Sequence, residues 1–551
     1  MQISVRCKNT GTTKQVEKGI SLLELYNVFS PIEIAKPLCA TINNEVTELT
    51  AVVYDNSDVQ FFGLNSSLGM RTYTSSVQFM LCKAIKELHP DCSITMEASV
   101  SNGYYYILYK DEKEFKPDCD ALSAKMQEYV DADIPFEKVT ALAEDAIPLF
   151  ESKGAKTAVK MVSSLKRLYV KYFRLGDYFD FNYNVMLPST GYIDNFAVVP
   201  YHKGLLVRMP QGDNPKELKP MMCQDKMLDI FIEHHKWQKI IGLKTIADLN
   251  ECIDKGYSNE LIIISEALQE KKIASIAENI KNRETVKLVL IAGPSSSGKT
   301  TFCKRLSVQL LACGLRPLPI SMDDYFVDRE HTPRDENGEY DFESIDALNL
   351  PLLEEHLKSL FAGEEIELPR FDFTTGKSSP SGKKLRMCSN DVIVMEGIHA
   401  LNPKLTVGLS SELKYKIYAS ALTTILLDNH NHISTHDNRL LRRIVRDYKY
   451  RHYSAEETIS RWSSVTKGED KWIFPFQEEA DVMFNSALLF EFAGLCSQAL
   501  PILESVPQSV PEYAEARRLM KFLKYVRPID ITRLPPTSLL LEFLGGSSFK
   551  Y

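Results

Sequence analysis

The chain has 551 residues, of which 44% are apolar and 25% charged, and a formal net charge of −8. That length predicts three or four domains of about 100–200 residues each, and the acidic balance excludes a general nucleic-acid-binding surface while leaving room for a local basic patch. Eleven cysteines spread from Cys7 to Cys496 without a C-x-x-C pair read as reduced intracellular thiols, and no apolar run approaches the roughly 18 residues of a membrane helix, so a cytoplasmic protein without a membrane partner is expected.

From Ile3 to about Gly63 the pattern is strand-rich. Ile3 and Val5 alternate with polar neighbours, a short helix opens at Ser21, and 38–42 and 59–62 are further strands, which suits a small β-grasp module over residues 1–63. From Met70 to about Pro210 an α+β reading fits better. A helix runs through Val77–Leu88 and is closed by His89-Pro90; strands follow at Ile94–Val100 and Tyr104–Tyr109, a helix at Cys119–Val130, and a strand segment at Phe173–Phe181.

Residues 1–63 resemble the TGS-type ubiquitin-like domain of threonyl-tRNA synthetases, and the segment after it, 64–225, is similar to their editing domain. The words that carry this are Ala84-Ile-Lys-Glu-Leu-His-Pro-Asp91, Ser101-Asn-Gly-Tyr-Tyr-Tyr106, Asp133-Ile-Pro-Phe-Glu137, Gly176-Asp-Tyr-Phe-Asp180 and Pro188-Ser-Thr-Gly191. The family's editing site uses an H-x-x-x-H pair with a later Cys and His, and the matching positions here are Ser75, Phe79, Asn182 and Met186. Phe79 and Met186 have no acid, base or hard-metal ligand to offer. The resemblance therefore implies a retained fold without editing chemistry, which braces the rest of the chain or contacts RNA or a small ligand.

Residues 210–220, with Gly212-Asp-Asn-Pro215, read as a linker, and 226–283 as a helical connection. Glu233-His234-His235 invites a metal reading, but adjacent side chains diverge on a helix, so a solvated face is the better account.

The apolar run Leu288–Ala292 then feeds into Gly293-Pro-Ser-Ser-Ser-Gly298-Lys299-Thr300, and Phe302, Leu306 and Leu310 repeat every fourth residue before Gly314. Strand, G-x-x-x-x-G-K-T and helix in this order make a phosphate-binding loop. Backbone N–H groups of Gly293, Ser295, Ser296, Ser297, Gly298, Lys299, Thr300 and Thr301 are the candidate nucleotide cradle, reinforced by the helix N-terminus. Lys299 would reach the outer phosphates as a point charge, and the Thr300 hydroxyl suits a magnesium ion.

Beyond the loop, strands at Pro319–Met322, Asp391–Met395 and Tyr415–Ala419 alternate with helices at Leu352–Leu360 and Asp437–Tyr450, predicting a parallel sheet wrapped by helices over 284–500. Acidic groups stand at the expected carboxyl ends of its strands: Asp323-Asp324, Asp341 with Glu343, and Glu396. Ser321-Met-Asp-Asp-Tyr-Phe326, Asp341-Phe-Glu-Ser-Ile-Asp-Ala-Leu348, Leu368-Pro-Arg-Phe-Asp-Phe373 and Val394-Met-Glu-Gly-Ile398, together with the loop, resemble the uridine kinase and phosphoribulokinase family of P-loop kinases. The resemblance places Asp323 on the base that takes the acceptor's proton and Glu396 near magnesium. It places Asp324, Phe342, Glu343, Arg370 and Phe371 in the substrate site. Uridine kinases hold the pyrimidine edge with a tyrosine and a histidine, where this chain has Phe371 and Gly376; the ring can stack, but the hydrogen-bonding groups are lost.

Arg439, Arg442, Arg443 and Arg446 stand at i, i+3, i+4 and i+7 of the helix after Asp437. Like charges at these spacings are mildly unfavourable unless an anion or acidic partner faces them. The resemblance implies a lid, with Arg439 and Arg442 on the nucleotide and Arg443 and Arg446 on the transferring group; a face paired to glutamates is the alternative. His430, His432 and His436 lack the spacing of a zinc site. The apolar tail 501–551 is expected to pack on the domain, with no function legible.

The whole reads as a multidomain protein, β-grasp and α+β domains followed by an α/β P-loop kinase, using ATP and Mg²⁺ to phosphorylate a small-molecule hydroxyl, most simply of a nucleoside. The alternatives are a kinase for another small alcohol, and a nucleotide-switched regulator whose synthetase-like half holds RNA. Homo-oligomerisation is left open.

Overall fold

The computed structural model describes residues 1–165, 168–210, 214, 216–335 and 338–551. Gly212, Asp213 and Pro215, on which the turn reading of the linker rests, lie outside the described residues.

The first 62 residues form a five-stranded mixed sheet in which Gln2–Cys7 pairs antiparallel with Thr12–Glu17 and parallel with Ser57–Phe62. One helix, Leu22–Phe29, covers it. Ser21 caps that helix in a reciprocal box with Glu24, satisfying two free N–H groups at its start. The next domain is organised on the 22-residue helix Ser67–Leu88, longer than the sequence pattern suggested because Ser66 caps it and starts it ten residues before Val77. Its sheet uses Cys92–Val100, Gly103–Lys110, Ala197–Tyr201 and Gly204–Arg208.

The second half is built on a five-stranded parallel sheet. Its spatial order is Arg316–Ser321, Asp391–Glu396, Leu288–Ala292, Lys414–Ser420, Val482–Asn485. Leu288–Ala292 at the centre is wholly buried, as a strand covered on both faces must be. Arg316–Ser321 carries Pro317 and Pro319, which an edge strand tolerates. All five strands run the same way, so their carboxyl ends share one edge.

One expectation is corrected by the packing. The 226–283 segment is no linker: its helices Asp225–Ile241, Ile246–Asp254 and Ser258–Asn282 bury Leu249, Leu261, Ile273, Ile276 and Ile280 in a core shared with the central strand. Arg305 of the helix after the phosphate loop is held by Glu266, Gln269 and Glu270 of the third. The tail packs on the domain as expected, and there against the phosphate loop itself. Leu539, Leu540, Leu541, Phe543 and Leu544 are at most 6% exposed. At about 1.5–3 kcal/mol per buried side chain, peeling off all five costs about 7.5–15 kcal/mol, for the most part more than the roughly 8 kcal/mol that a micromolar ligand supplies. The segment is a fixed wall.

Candidate active site

The glycines of the loop are dictated by close approach. A Cβ on Gly293 would lie 2.0 Å from the Ala419 carbonyl oxygen of the neighbouring strand, and Gly298 adopts φ +81° with its Cα against Leu539. The turn they allow delivers the chain into the helix Lys299–Ala312.

At the sheet's carboxyl edge, strand register sets Ile291, Glu396 and Ser321 side by side. Glu396 Oε1 therefore accepts from Thr300 Oγ1 at 3.3 Å and from Ser321 Oγ at 3.4 Å. Burial raises the Glu396 carboxyl well above its usual range, and the charge of Asp323 adds to the shift while Lys299 opposes it. A hydroxyl and carboxylates converging beside a lysine are the hard oxygen donors that a magnesium ion takes, so the residues present fit that ion.

Asp323 and Asp324 follow on a tight turn, Met322–Tyr325, and point to different neighbours. Asp323 is exposed and acts electrostatically on Glu396 and on Arg451. Asp324 faces the substrate-side hairpin. Its carboxyl is raised by burial, and the backbone N–H of Phe371 offsets part of that.

Glu343 sits between the acidic and basic groups of the loop. Its Oε2 is buried without a hydrogen-bond partner. Burial first and the Glu469 charge second push its carboxyl up to about 7, against the pull of Arg443 and Lys299. Phe342 is 41% exposed, its ring beside Tyr340.

The arginine helix, Thr435–Tyr450, departs from the reading in which four guanidinium groups share one anion-facing side. Arg442 is fully buried and bound to Glu491, Ser486 and the Ser296 carbonyl oxygen. Arg439, 2% exposed, pairs with Glu469 and donates to the Ser295 carbonyl oxygen at 2.9 Å. These two brace the phosphate loop from behind: every guanidinium nitrogen of Arg442 is engaged by Glu491, Ser486 or the Ser296 carbonyl oxygen, which corrects its placement as a nucleotide ligand, whereas Arg439 is engaged through Nε and Nη2. Arg443 reaches Ser295 Oγ at 2.9 Å and also pairs with Asp447, as does Arg446.

The hairpin Glu365–Asp372 with Lys377–Arg386 carries Arg370 and Phe371, expected from the sequence on the acceptor side. Arg370 is exposed. Phe371 is corrected too: it is 6% exposed and packs between Phe326 and Phe373, with ring centroids at 5.5 and 5.1 Å, so its ring is core and not a free stacking platform. Beside Gly376 the space is filled by Arg329, whose backbone N–H donates to the Gly376 carbonyl oxygen at 2.8 Å and whose guanidinium donates to the Phe373 carbonyl oxygen at 2.6 Å.

Three residues at the site escaped the sequence reading. Glu469, fully buried, accepts the Ser295 N–H at 3.0 Å. Glu542 accepts the Thr301 N–H at 3.1 Å. His399, three residues past Glu396, is 1% exposed and held near 4 by burial, so its ring is neutral. The carboxylates of Glu469 and Glu542 stand in for anionic oxygens at the loop's N–H groups, showing that this backbone receives anions. The only legible signal was the acidic residue in an otherwise apolar tail.

In the N-terminal half the four positions of the editing motif are structural. Ser75 accepts from Asn184 at 2.9 Å, Phe79 packs edge-on to Phe136 and Tyr178, Asn182 accepts the Asn184 backbone N–H at 2.9 Å, and Met186 is fully buried against Ser76. His235 pairs with Glu97 while Glu233 turns to Lys272, so the two diverge as expected. His430 pairs with Asp180 at 2.5 Å. Among the described residues no helix is long and apolar enough to cross a membrane.

The model of the Phosphoribulokinase / Uridine kinase family matches residues 288–488. A uridine kinase of Staphylococcus haemolyticus is 32% identical over 197 residues, covering 36% of this chain and 86% of the relative. A threonine--tRNA ligase of Carboxydothermus hydrogenoformans is 25% identical over 199 residues, 36% of this chain but only 31% of the ligase. The chain thus spans about a third of the length of that ligase. Among solved structures, a possible uridine kinase from Bacillus stearothermophilus aligns with 36% of this chain and 89% of its own at 20% identity and a TM-score of 0.24.

Proposed function

Because the chain belongs to the phosphoribulokinase/uridine kinase family, we propose that its kinase half transfers the terminal phosphoryl group of ATP to a hydroxyl of a nucleoside. The observation that carries this is the meeting of Thr300, Glu396 and Lys299 beside Asp323 at the carboxyl edge of the parallel sheet. Phosphoryl transfer asks the protein for positioning and charge neutralisation, with one carboxylate on the nucleophile.

Thr300 and Glu396 would hold magnesium, which supplies neutralisation of the phosphate oxygens. The loop N–H groups hold the donor, and Lys299 places its charge on the outer phosphates. Asp323, exposed at the strand end and free of the hairpin, is positioned to take the hydroxyl proton. Arg443 and Arg446 supply further positive charge, and Glu343 with Arg370 orients the acceptor. Phe371 is core and Arg329 fills the space beside Gly376, so nothing at these positions reads a pyrimidine edge. An apolar or backbone-lined site discriminates less than one built to hydrogen-bond a particular edge, and the acceptor range is therefore broad. The residues that replace the editing motif favour a bracing role for the N-terminal half over editing chemistry.

The test is multiple-turnover ADP formation with a panel of nucleosides and small alcohols. ADP release that depends on an added nucleoside supports the reading; release that depends only on non-nucleoside alcohols assigns the other acceptor class. No stimulation by any of them overturns it.

A further inference from the structure

The last segment of the chain reaches the start of the phosphate-loop helix with a charged group. Glu542 Oε2 accepts both the backbone N–H of Thr301, at 3.1 Å, and its hydroxyl, at 2.5 Å. Tyr551 places its hydroxyl 2.8 Å from the same Thr301 Oγ1, and Lys304 donates to the Lys550 carbonyl oxygen at 2.6 Å. Thr301 is completely buried beneath them, and Leu539 lies against Gly298 on the other side of the turn.

A polyphosphate in such a loop runs along the helix N-terminus, its outer phosphates beside Lys299 and Thr300 and its inner phosphate at the N–H groups that follow. Thr301 is the residue that follows, and a carboxylate already sits on it. Glu542 is held there by a backbone that cannot leave, because Leu541 and Phe543 on either side are buried, Phe543 beneath the Arg442 guanidinium at 4.9 Å. The outer part of the cradle, by contrast, has no tail residue in it: Lys299 folds back onto the Pro294 carbonyl oxygen at 3.0 Å.

Building on the donor reading above, we propose that Glu542 is a donor-specificity residue: its carboxylate competes with the innermost phosphate of a nucleoside triphosphate for Thr301, while leaving the outer two phosphate positions free. A nucleoside triphosphate binds by displacing that side chain, and pays in affinity; a pyrophosphate unit seated on the outer positions does not. The selectivity is set by one carboxylate, on a segment that the family resemblance does not cover.

The experiment measures equilibrium binding of the magnesium complexes of a non-hydrolysable ATP analogue and of pyrophosphate to the full chain and to the Glu542→Gln and Glu542→Ala variants, with thermal unfolding to show that all three are folded. A charge-assisted contact is worth a factor of about ten to a hundred, so both variants are expected to bind the ATP analogue at least tenfold more tightly, with pyrophosphate changed less than threefold. If both ligands gain equally, Glu542 acts only through its general charge; if the analogue gains nothing, it is only a helix cap. Either result overturns this inference and leaves the donor reading standing. Absence of binding of both ligands to all three proteins overturns both.

Discussion

The carboxylate of Glu469 accepts the backbone N–H of Ser295 at 3.0 Å inside the phosphate loop, while its partner Arg439 donates to the Ser295 carbonyl oxygen at 2.9 Å. One buried ion pair thus fixes both polar groups of a single loop residue. Removing one member of a buried pair strands the other, at a cost of about 3–5 kcal/mol. Glu469→Ala is expected to lower the unfolding free energy by that amount in urea titration, with Glu469→Gln, which keeps an acceptor for Ser295, falling between. A loss below about 1 kcal/mol for the alanine variant would show that the pair does not brace the loop.

Lys299→Ala should leave the fold intact, since among the described residues the Lys299 ammonium donates only to the Pro294 carbonyl oxygen, yet abolish turnover. A point charge on the transferring phosphates is worth at least a factor of about ten in rate. Retention of more than a tenth of the parent kcat contradicts its role.

Asp323 and Asp324 separate by their surroundings. Asp323→Asn is expected to reduce kcat by about 10²–10⁴ with little change in donor affinity. Asp324→Asn, touching the Phe371 backbone, should act mainly on acceptor KM by loosening the hairpin. The reverse pattern in paired steady-state measurements would move the base by one residue.

Glu343 links stability to pH. Its carboxyl is raised by burial to about 7 in the folded protein from an ordinary 4.5, so the native state binds the proton more tightly. The stabilisation this provides is present below about 4.5 and is lost as pH rises to about 7, where the buried group must ionise. Glu343→Gln, which stays neutral, should match the parent's unfolding temperature near pH 4.5 and exceed it at pH 8. An equal difference at both pH values would mean that Glu343 titrates normally.

Much of the kinase half was legible because its signals are local. Leu288–Ala292, the glycines, Lys299 and Thr300 announce strand, loop and helix in sequence order, and the strand ends at Asp323 and Glu396 fell at the edge the sheet requires. The arginine spacing was legible, but not the direction of each guanidinium: Arg439 and Arg442 turn inward because Glu469 and Glu491 lie across the helix, 30 and 49 residues away. Phe371 was misassigned for a similar reason, since only the fold brings Phe326 against it. Glu542 was visible only as an acidic residue in a leucine-rich tail, and nothing in such a tail says which turn of the protein it will cover.

The central claim is tested most directly by following the phosphoryl group itself. With γ-labelled ATP, magnesium and uridine, cytidine, adenosine, guanosine and inosine, each alone, the account predicts labelled nucleoside monophosphate in step with ADP, and kcat/KM values for pyrimidines and purines within about a hundredfold of one another, as weak base readout requires. Formation of ADP without any labelled nucleoside, or a preference for uridine and cytidine above a hundredfold over every purine, would contradict it.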